Sequence, residues 1–132
     1  MNELFYPVRR TTLHIPNTGP DHDRGRGHLH VILSDPCENG LNLFAVLNSH
    51  YDGCDETCVL DDGHDFIRHR SFIKYAKADM VATELLVRSV KEGIITYEGL
   101  FDEGGFARIR DGVLASPHTR PRVKKYFRNF CG

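Results

Sequence analysis

The chain has 132 residues, of which 40% are hydrophobic and 27% charged. That length suits one domain better than two, and that balance excludes a disordered, collagen-like or coiled-coil chain. Seventeen basic side chains against eighteen acidic ones leave a net charge of -1, which removes the global positive field of a strong nucleic-acid binder, so any such site has to be local.

Eight histidines are the compositional excess, and histidine is the side chain that titrates near neutrality without help. Four cysteines, Cys37, Cys54, Cys58 and Cys131, would allow three disulfide pairings in a secreted protein. The opening MNELFYPVRRTTL has no apolar run of signal-peptide length, and no stretch of 18 apolar residues follows. The expectation is a cytoplasmic protein with reduced thiols and no membrane association.

In chain order, residues 1–27 read as a loop-rich segment punctuated by Pro7, Pro16, Gly19, Pro20, Gly25 and Gly27, with one short extended piece at 11–15. Residues 28–34 are a β-branched apolar run closed by Asp35 and Pro36, and residues 41–47 form a second apolar run after the Asn39, Gly40 turn. The two predict an antiparallel hairpin. Residues 48–66 carry Asp52, Asp55, Glu56, Asp61, Asp62 and Asp65 with no Lys or Arg, and read as loop with a brief strand at 57–60. Residues 71–75 alternate, 78–86 continue as one or two strands, 87–92 fit strand or helical turn equally, and 94–97 have strand composition.

The tail changes period. Phe106, Ile109, Arg110 and Val113 fall at helical spacing behind Gly104 and Gly105, with Gly112 a weak point. Val123, Tyr126, Phe127 and Phe130 follow the i, i+3, i+4, i+7 rule, with Thr119 or Arg120 as N-cap and Pro121 at the first helical position. Strands first and helices last give α+β in one domain over 1–132: the loop-rich 1–27, a β-barrel core at 28–100 and a helical tail at 101–132. Short strands hide their edges best in a strongly bent or barrel-like antiparallel sheet.

Four groupings carry candidate chemistry. Arg24, Arg26, His28 and His30 stand at the entry to the first strand; His28 and His30, two apart, share one face, and imidazoles beside guanidiniums suit a phosphate. Asn48, Ser49 and His50 close the second strand. His50, Cys54, Cys58 and His64 offer two imidazoles and two thiols of zinc-ligating type, yet without the tight C-x-x-C knuckle usual in structural zinc sites, so no metal set is assigned. The turn from Asp62 to Ser71 concentrates His64, Arg68, His69 and Arg70 as substrate-binding candidates. Arg120, Arg122, Lys124, Lys125 and Arg128 make the tail basic; that is ordinarily a solvated helix face, and alternatively a phosphate contact.

The string Gly27-His28-Leu29-His30-Val31-Ile32-Leu33-Ser34, an apolar strand ending in Asn48-Ser49, then Cys58-Val59-Leu60 and Ser71-Phe72-Ile73-Lys74-Tyr75, resembles the MazF/PemK-like toxins of type II toxin-antitoxin systems. The likeness spans about residues 24–90 and is carried by short motifs. It implies a small SH3-like antiparallel β-barrel with C-terminal helices, commonly a homodimer held in check by an antitoxin protein, that cleaves single-stranded RNA through its own 2′-hydroxyl with no metal or other cofactor. Ser49 matches the family's Thr or Ser at the end of the second strand. Where the family has an Arg at the mouth of the first strand this chain has His28, with Arg24 and Arg26 just upstream. The expected catalytic set is Arg26, His28, Ser49 and His50. The departure at His28 keeps open a non-catalytic SH3-like barrel that binds protein or nucleic acid.

Overall fold

The computed structural model describes residues 5–16 and 27–131. Among the described residues, seven strands and three helices follow one another as β1 (Thr11–Pro16), β2 (Gly27–Ile32), β3 (Leu41–Ser49), β4 (Val59–Leu60), β5 (Ser71–Ile73), β6 (Asp79–Ala82), α1 (Thr83–Lys91), β7 (Thr96–Leu100), α2 (Glu103–Ala115) and α3 (Pro121–Phe130), with a 3-10 turn at Tyr75–Lys77 between β5 and β6. The protein is α+β, and every strand pairing among the described residues is antiparallel.

The pairing path runs β4-β5-β3-β2-β1-β7, with β6 also on β3. Its end strands, β4 and β7, do not pair among the described residues, so the sheet is open where a closed barrel was expected. β3 is the organising strand. Leu41 to Phe44 pair with β6 and Leu47 to Ser49 pair with β5, while the opposite edge of β3 pairs with β2.

Alternation explains why β2 and β3 look continuously apolar. Successive side chains of a strand point to opposite faces. Leu29, Val31 and Leu33 of the β2 run, with Leu43, Ala45 and Leu47 of β3, enter the larger core beneath α2 and α3, where Phe106, Ile109, Val113, Val123, Tyr126 and Phe127 meet them. Ile32 and Phe44 face the other way and pack with Leu13, Leu86, Ile95 and Val90, so α1 covers the second face. Each fully buried Leu, Ile or Phe contributes about 1.5–3 kcal/mol.

Several expected boundaries move. The strand reading of 78–86 ends at Ala82, and Thr83 begins α1. Its hydroxyl donates to Asn42 Oδ1 at 2.7 Å, and Asn42 Nδ2 donates to the Pro7 and Ser34 carbonyls at 2.9 and 2.8 Å. A wholly buried amide thus closes the junction of N-terminus, β3 and α1 with its hydrogen bonds satisfied. Residues 87–92, open to either reading, are helical to Lys91. β5 is buried at all three positions instead of alternating, because β3 and β4 flank it and the core covers it. In α2 the glycines lie inside the first turn, and Asp102 is the N-cap, accepting from the Gly105 N–H at 2.9 Å. α3 starts as expected, with Arg120 at the N-cap and Pro121 first.

The basic tail is partly structural. Arg120 donates to the Ala78 carbonyl at 2.6 Å and meets Asp79 at 3.1 Å, and Arg122 also pairs with Asp79, so two of the five cations fasten α3 to β6. Cys37, Cys54, Cys58 and Cys131 are all free thiols. Among the described residues no helix is long and apolar enough to cross a membrane.

Candidate functional site

The site follows from a parting of strands. β2 and β3 are in register only at His30–Val46, Val31–Ala45 and Ile32–Phe44. Beyond Val46 the strand β3 turns to β5, pairing Leu47, Asn48 and Ser49 with Ile73, Phe72 and Ser71. The start of β2 instead stays with β1, through Leu29–His14, His28–Ile15 and Gly27–Pro16. A wedge opens between them, a cleft of 530 Å³ lined by His14, Gly27, His28, Leu29, Leu47, Asn48, Ser49, Phe66 and Ser71.

Three features of the cleft bear on chemistry. Ser49 Oγ lies 2.7 Å from His69 Nε2, a hydroxyl–imidazole pair at its rim. Asn48 Oδ1 is buried with no hydrogen-bond partner among the described residues, and an unpaired buried acceptor costs about 1–3 kcal/mol until a donor reaches it. His28 is held below the ordinary histidine range, first by partial burial and then by the charges of Lys74 and His14, so near neutral pH its imidazole is unprotonated and able to accept a proton.

Gly27 brings His14 in. A Cβ on Gly27 would stand 2.7 Å from His14 Nε2 and would also run into the Ile15 carbonyl, so the bare backbone is what lets the imidazole lie across β2. The Phe66 ring packs edge to face with His14 and with His64, at 6.0 and 5.5 Å between ring centres, forming an aromatic wall.

Of the residues expected from sequence, His28 and Ser49 come together in the cleft, and His69 joins them through Ser49. Arg24 and Arg26 lie outside the described residues; Gly27, the next residue in the chain after Arg26, lines the cleft. His50 is not among the lining residues: its Nε2 meets Glu56 Oε1 at 3.0 Å. His30 shares the His28 face as alternation required, but its ring packs on Phe44 at 5.2 Å and its Nδ1–H donates to the His28 carbonyl at 3.0 Å. Burial lowers its pKa.

His64 is a structural clamp. Its Nδ1 accepts from the Phe66 N–H at 3.1 Å, which leaves Nε2–H to donate to the Glu98 carbonyl at 2.8 Å, with Thr12 Oγ1 at 3.0 Å. The side chain ties the 62–66 turn to β1 and β7, beside a second, acidic hollow that includes Asp62, Asp65, Glu98 and Asp102. Arg70 bonds Asp61 at 3.1 Å, and Arg68 is exposed.

The four-residue zinc grouping does not assemble. Cys58 is 2% exposed inside the larger core, where burial pushes its thiol pKa up, and His64 is committed as described. His50 and Cys54 do converge, with Glu56 rather than the other two.

Sequence reasoning missed His14, and it placed Asn48 in the strand-closing group and Phe66 and Ser71 in the 62–71 turn without giving them a role. His14 sits in a piece read as extended but isolated, and nothing local announces that β1 pairs with β2. Asn48 was named only as the strand's closing residue; its role appears once the strands part. The sequence matches no protein-family model and no curated protein.

Proposed function

We propose that the protein is an endoribonuclease of the MazF/PemK kind, which cleaves single-stranded RNA by metal-independent attack of the ribose 2′-hydroxyl on the adjacent phosphodiester. The observation that carries this reading is the cleft where β2 and β3 part, which gathers His14, His28, Ser49 with His69, and the unpaired Asn48 acceptor. The resemblance of the 27–34, 48–49, 58–60 and 71–75 segments supports it. So does β3, which passes from β6 to β5 along its length, a strand exchange that an SH3-like sheet would also need.

The chemistry needs a base for the 2′-hydroxyl, a cation over the phosphorane and an acid for the departing 5′-oxygen. His28, unprotonated near neutrality, takes the 2′ proton. The 2′-oxygen bonds to phosphorus, the P–O5′ bond breaks, and the products are a 2′,3′-cyclic phosphate and a 5′-hydroxyl. Ser49, with its proton relayed through His69, protonates the 5′-oxygen. Arg26 supplies the cation from the segment that leads into Gly27, with Arg24 and Arg68 as further phosphate contacts. Asn48 Oδ1 accepts from a ribose hydroxyl or a base amino group. His50, engaged by Glu56, has no role in this scheme. An antitoxin protein and a second copy of the chain are the partners that belong to the same reading, and its setting is the cytoplasm.

The test is incubation of the purified protein with mixed-sequence single-stranded RNA in EDTA, beside the His28→Ala protein. Cleavage to cyclic-phosphate ends, absent from 2′-O-methyl RNA and from the variant, is the expected result. Absence of cleavage over the variant defeats it, and salt-dependent RNA binding without turnover would assign the cleft to a non-catalytic binding domain instead.

A further inference from the structure

We propose that His50, Cys54 and Glu56 form a binding site for a single Zn²⁺-type cation, with three protein ligands and a fourth position open to water. The three ligand atoms, one imidazole nitrogen, the Cys54 sulfur and one Glu56 carboxylate oxygen, all lie within 4.8 Å of one another. A tetrahedral zinc with bonds of about 2.0–2.3 Å holds its ligand atoms roughly 3.3–3.8 Å apart. The side chains therefore need only a small closure.

The scaffold favours that closure. His50 is fixed at the end of β3, where its N–H donates to the Arg70 carbonyl at 3.0 Å. The chain then reverses in a turn closed by the Cys54 N–H on the Tyr51 carbonyl at 3.1 Å, with Gly53 at φ +88°. This turn directs Cys54 back toward His50. Asp55, next in sequence, is tied by Thr57 at 2.6 Å and by Ser116 at 2.6 Å, so the loop that presents Glu56 is anchored on both sides.

The donor set selects the ion. One nitrogen, one thiol sulfur and one carboxylate oxygen suit a borderline cation such as Zn²⁺ or Co²⁺, whereas Mg²⁺ and Ca²⁺ require oxygen shells. Three ligands with an open position is the pattern of reactive zinc sites, while structural sites close with four. Glu56 is exposed, so the cluster is open to solvent on that side and water can reach the fourth position. A cysteine ligates such a cation as the thiolate, so binding releases the Cys54 proton, while His50, whose Nε2 faces Glu56 at 3.0 Å, ligates as the neutral ring.

This inference stands on the cluster alone and is independent of RNA cleavage in EDTA. Titration of metal-stripped, reduced protein with Co²⁺ tests it. One equivalent per chain with a thiolate-to-cobalt charge-transfer band, displaced by Zn²⁺, is expected. Cys54→Ser should abolish the band, and His50→Ala or Glu56→Gln should weaken binding by more than about tenfold. Glu56→Gln is an exposed substitution that leaves the fold intact, as thermal melting would verify. The double variant Cys37→Ser, Cys131→Ser and the single variant Cys58→Ser should retain the band. Either no band at one equivalent, or a band that survives Cys54→Ser, overturns the proposal.

Discussion

Ser49 Oγ and His69 Nε2 meet at 2.7 Å across twenty residues of chain, because β3 and β5 pair Ser49 with Ser71 and so bring the turn before β5 beside the end of β3. The same register delivers the Ser71 hydroxyl, which donates to the His69 carbonyl at 3.0 Å and steadies the residue that carries the imidazole. If this pair protonates a leaving oxygen, Ser49→Ala and His69→Gln should each lower RNA cleavage by about 10²–10⁴-fold. The double variant should be little worse than either single one, since groups acting as a unit are not additive. Both side chains are exposed, so urea midpoints should move little. Equal cleavage by wild type and both single variants would remove the pair from the mechanism.

Gly27→Ala tests the packing that brings His14 to the cleft. The new methyl would meet the Ile15 carbonyl, which belongs to the backbone of β1 and cannot rotate away, as well as His14 Nε2. β1 and β2 must then shift apart, at a cost of about 1–3 kcal/mol. Urea unfolding should show that loss, and the His14 ring resonances should move in an NMR spectrum. An unchanged midpoint would mean that the two strands sit further apart than described.

Much of the fold was legible because it is written locally. The β2–β3 hairpin, its turn at Gly40, and α3 with Pro121 at its start follow from period and turn chemistry over ten or twenty residues. The start of α1 at Thr83 was not, because it depends on a hydrogen bond to Asn42, forty-one residues earlier. The site divides in the same way. His28 and Ser49 belong to one hairpin, whose antiparallel pairing makes them neighbours, whereas His14 arrives through the β1–β2 pairing, and the buried Asn48 acceptor, without a partner among the described residues, shows only on folding. Proximity in sequence alone places His50 and His64 with the chemistry. Glu56 and the Glu98 carbonyl, which hold them elsewhere, become partners only on folding.

Gly112 sets two effects against each other. Alanine in a helix interior gains about 1 kcal/mol over glycine in propensity, but a Cβ there would collide with the Tyr75 hydroxyl and ring. Tyr75 is wholly buried and donates to the Ile109 carbonyl at 2.6 Å, so it cannot swing out without losing that bond. Overpacking and the lost hydrogen bond, about 1–3 and about 1 kcal/mol, outweigh the propensity gain. Gly112→Ala should therefore lower stability in urea unfolding, and the double variant Gly112→Ala, Tyr75→Phe should recover part of the loss by removing the oxygen nearest the new methyl. A Gly112→Ala protein more stable than wild type would show that α2 has room to move away from the 3-10 turn.

Acid should destabilise the protein well before its carboxylates titrate. Burial is the leading cause that lowers the pKa of both His28 and His30, so the folded state keeps these rings neutral where the unfolded chain, near 6.5, takes up protons. A state that binds fewer protons loses ground as pH falls. Stability should accordingly decline as pH drops through about 6.5 and level off below the folded pKa values. Asp35 has the opposite charge type and a later window: hydrogen bonds from Arg9 depress its pKa, so its contribution persists above about 3.8 and disappears only as pH falls below that. His30→Phe isolates the first window. Its ring can still pack on Phe44, and it gives up the bond to the His28 carbonyl at every pH, so the variant should start lower yet show a flatter fall in melting temperature between pH 7 and 5. A slope identical to that of wild type would mean that His30 contributes nothing to acid sensitivity and would leave it to His28.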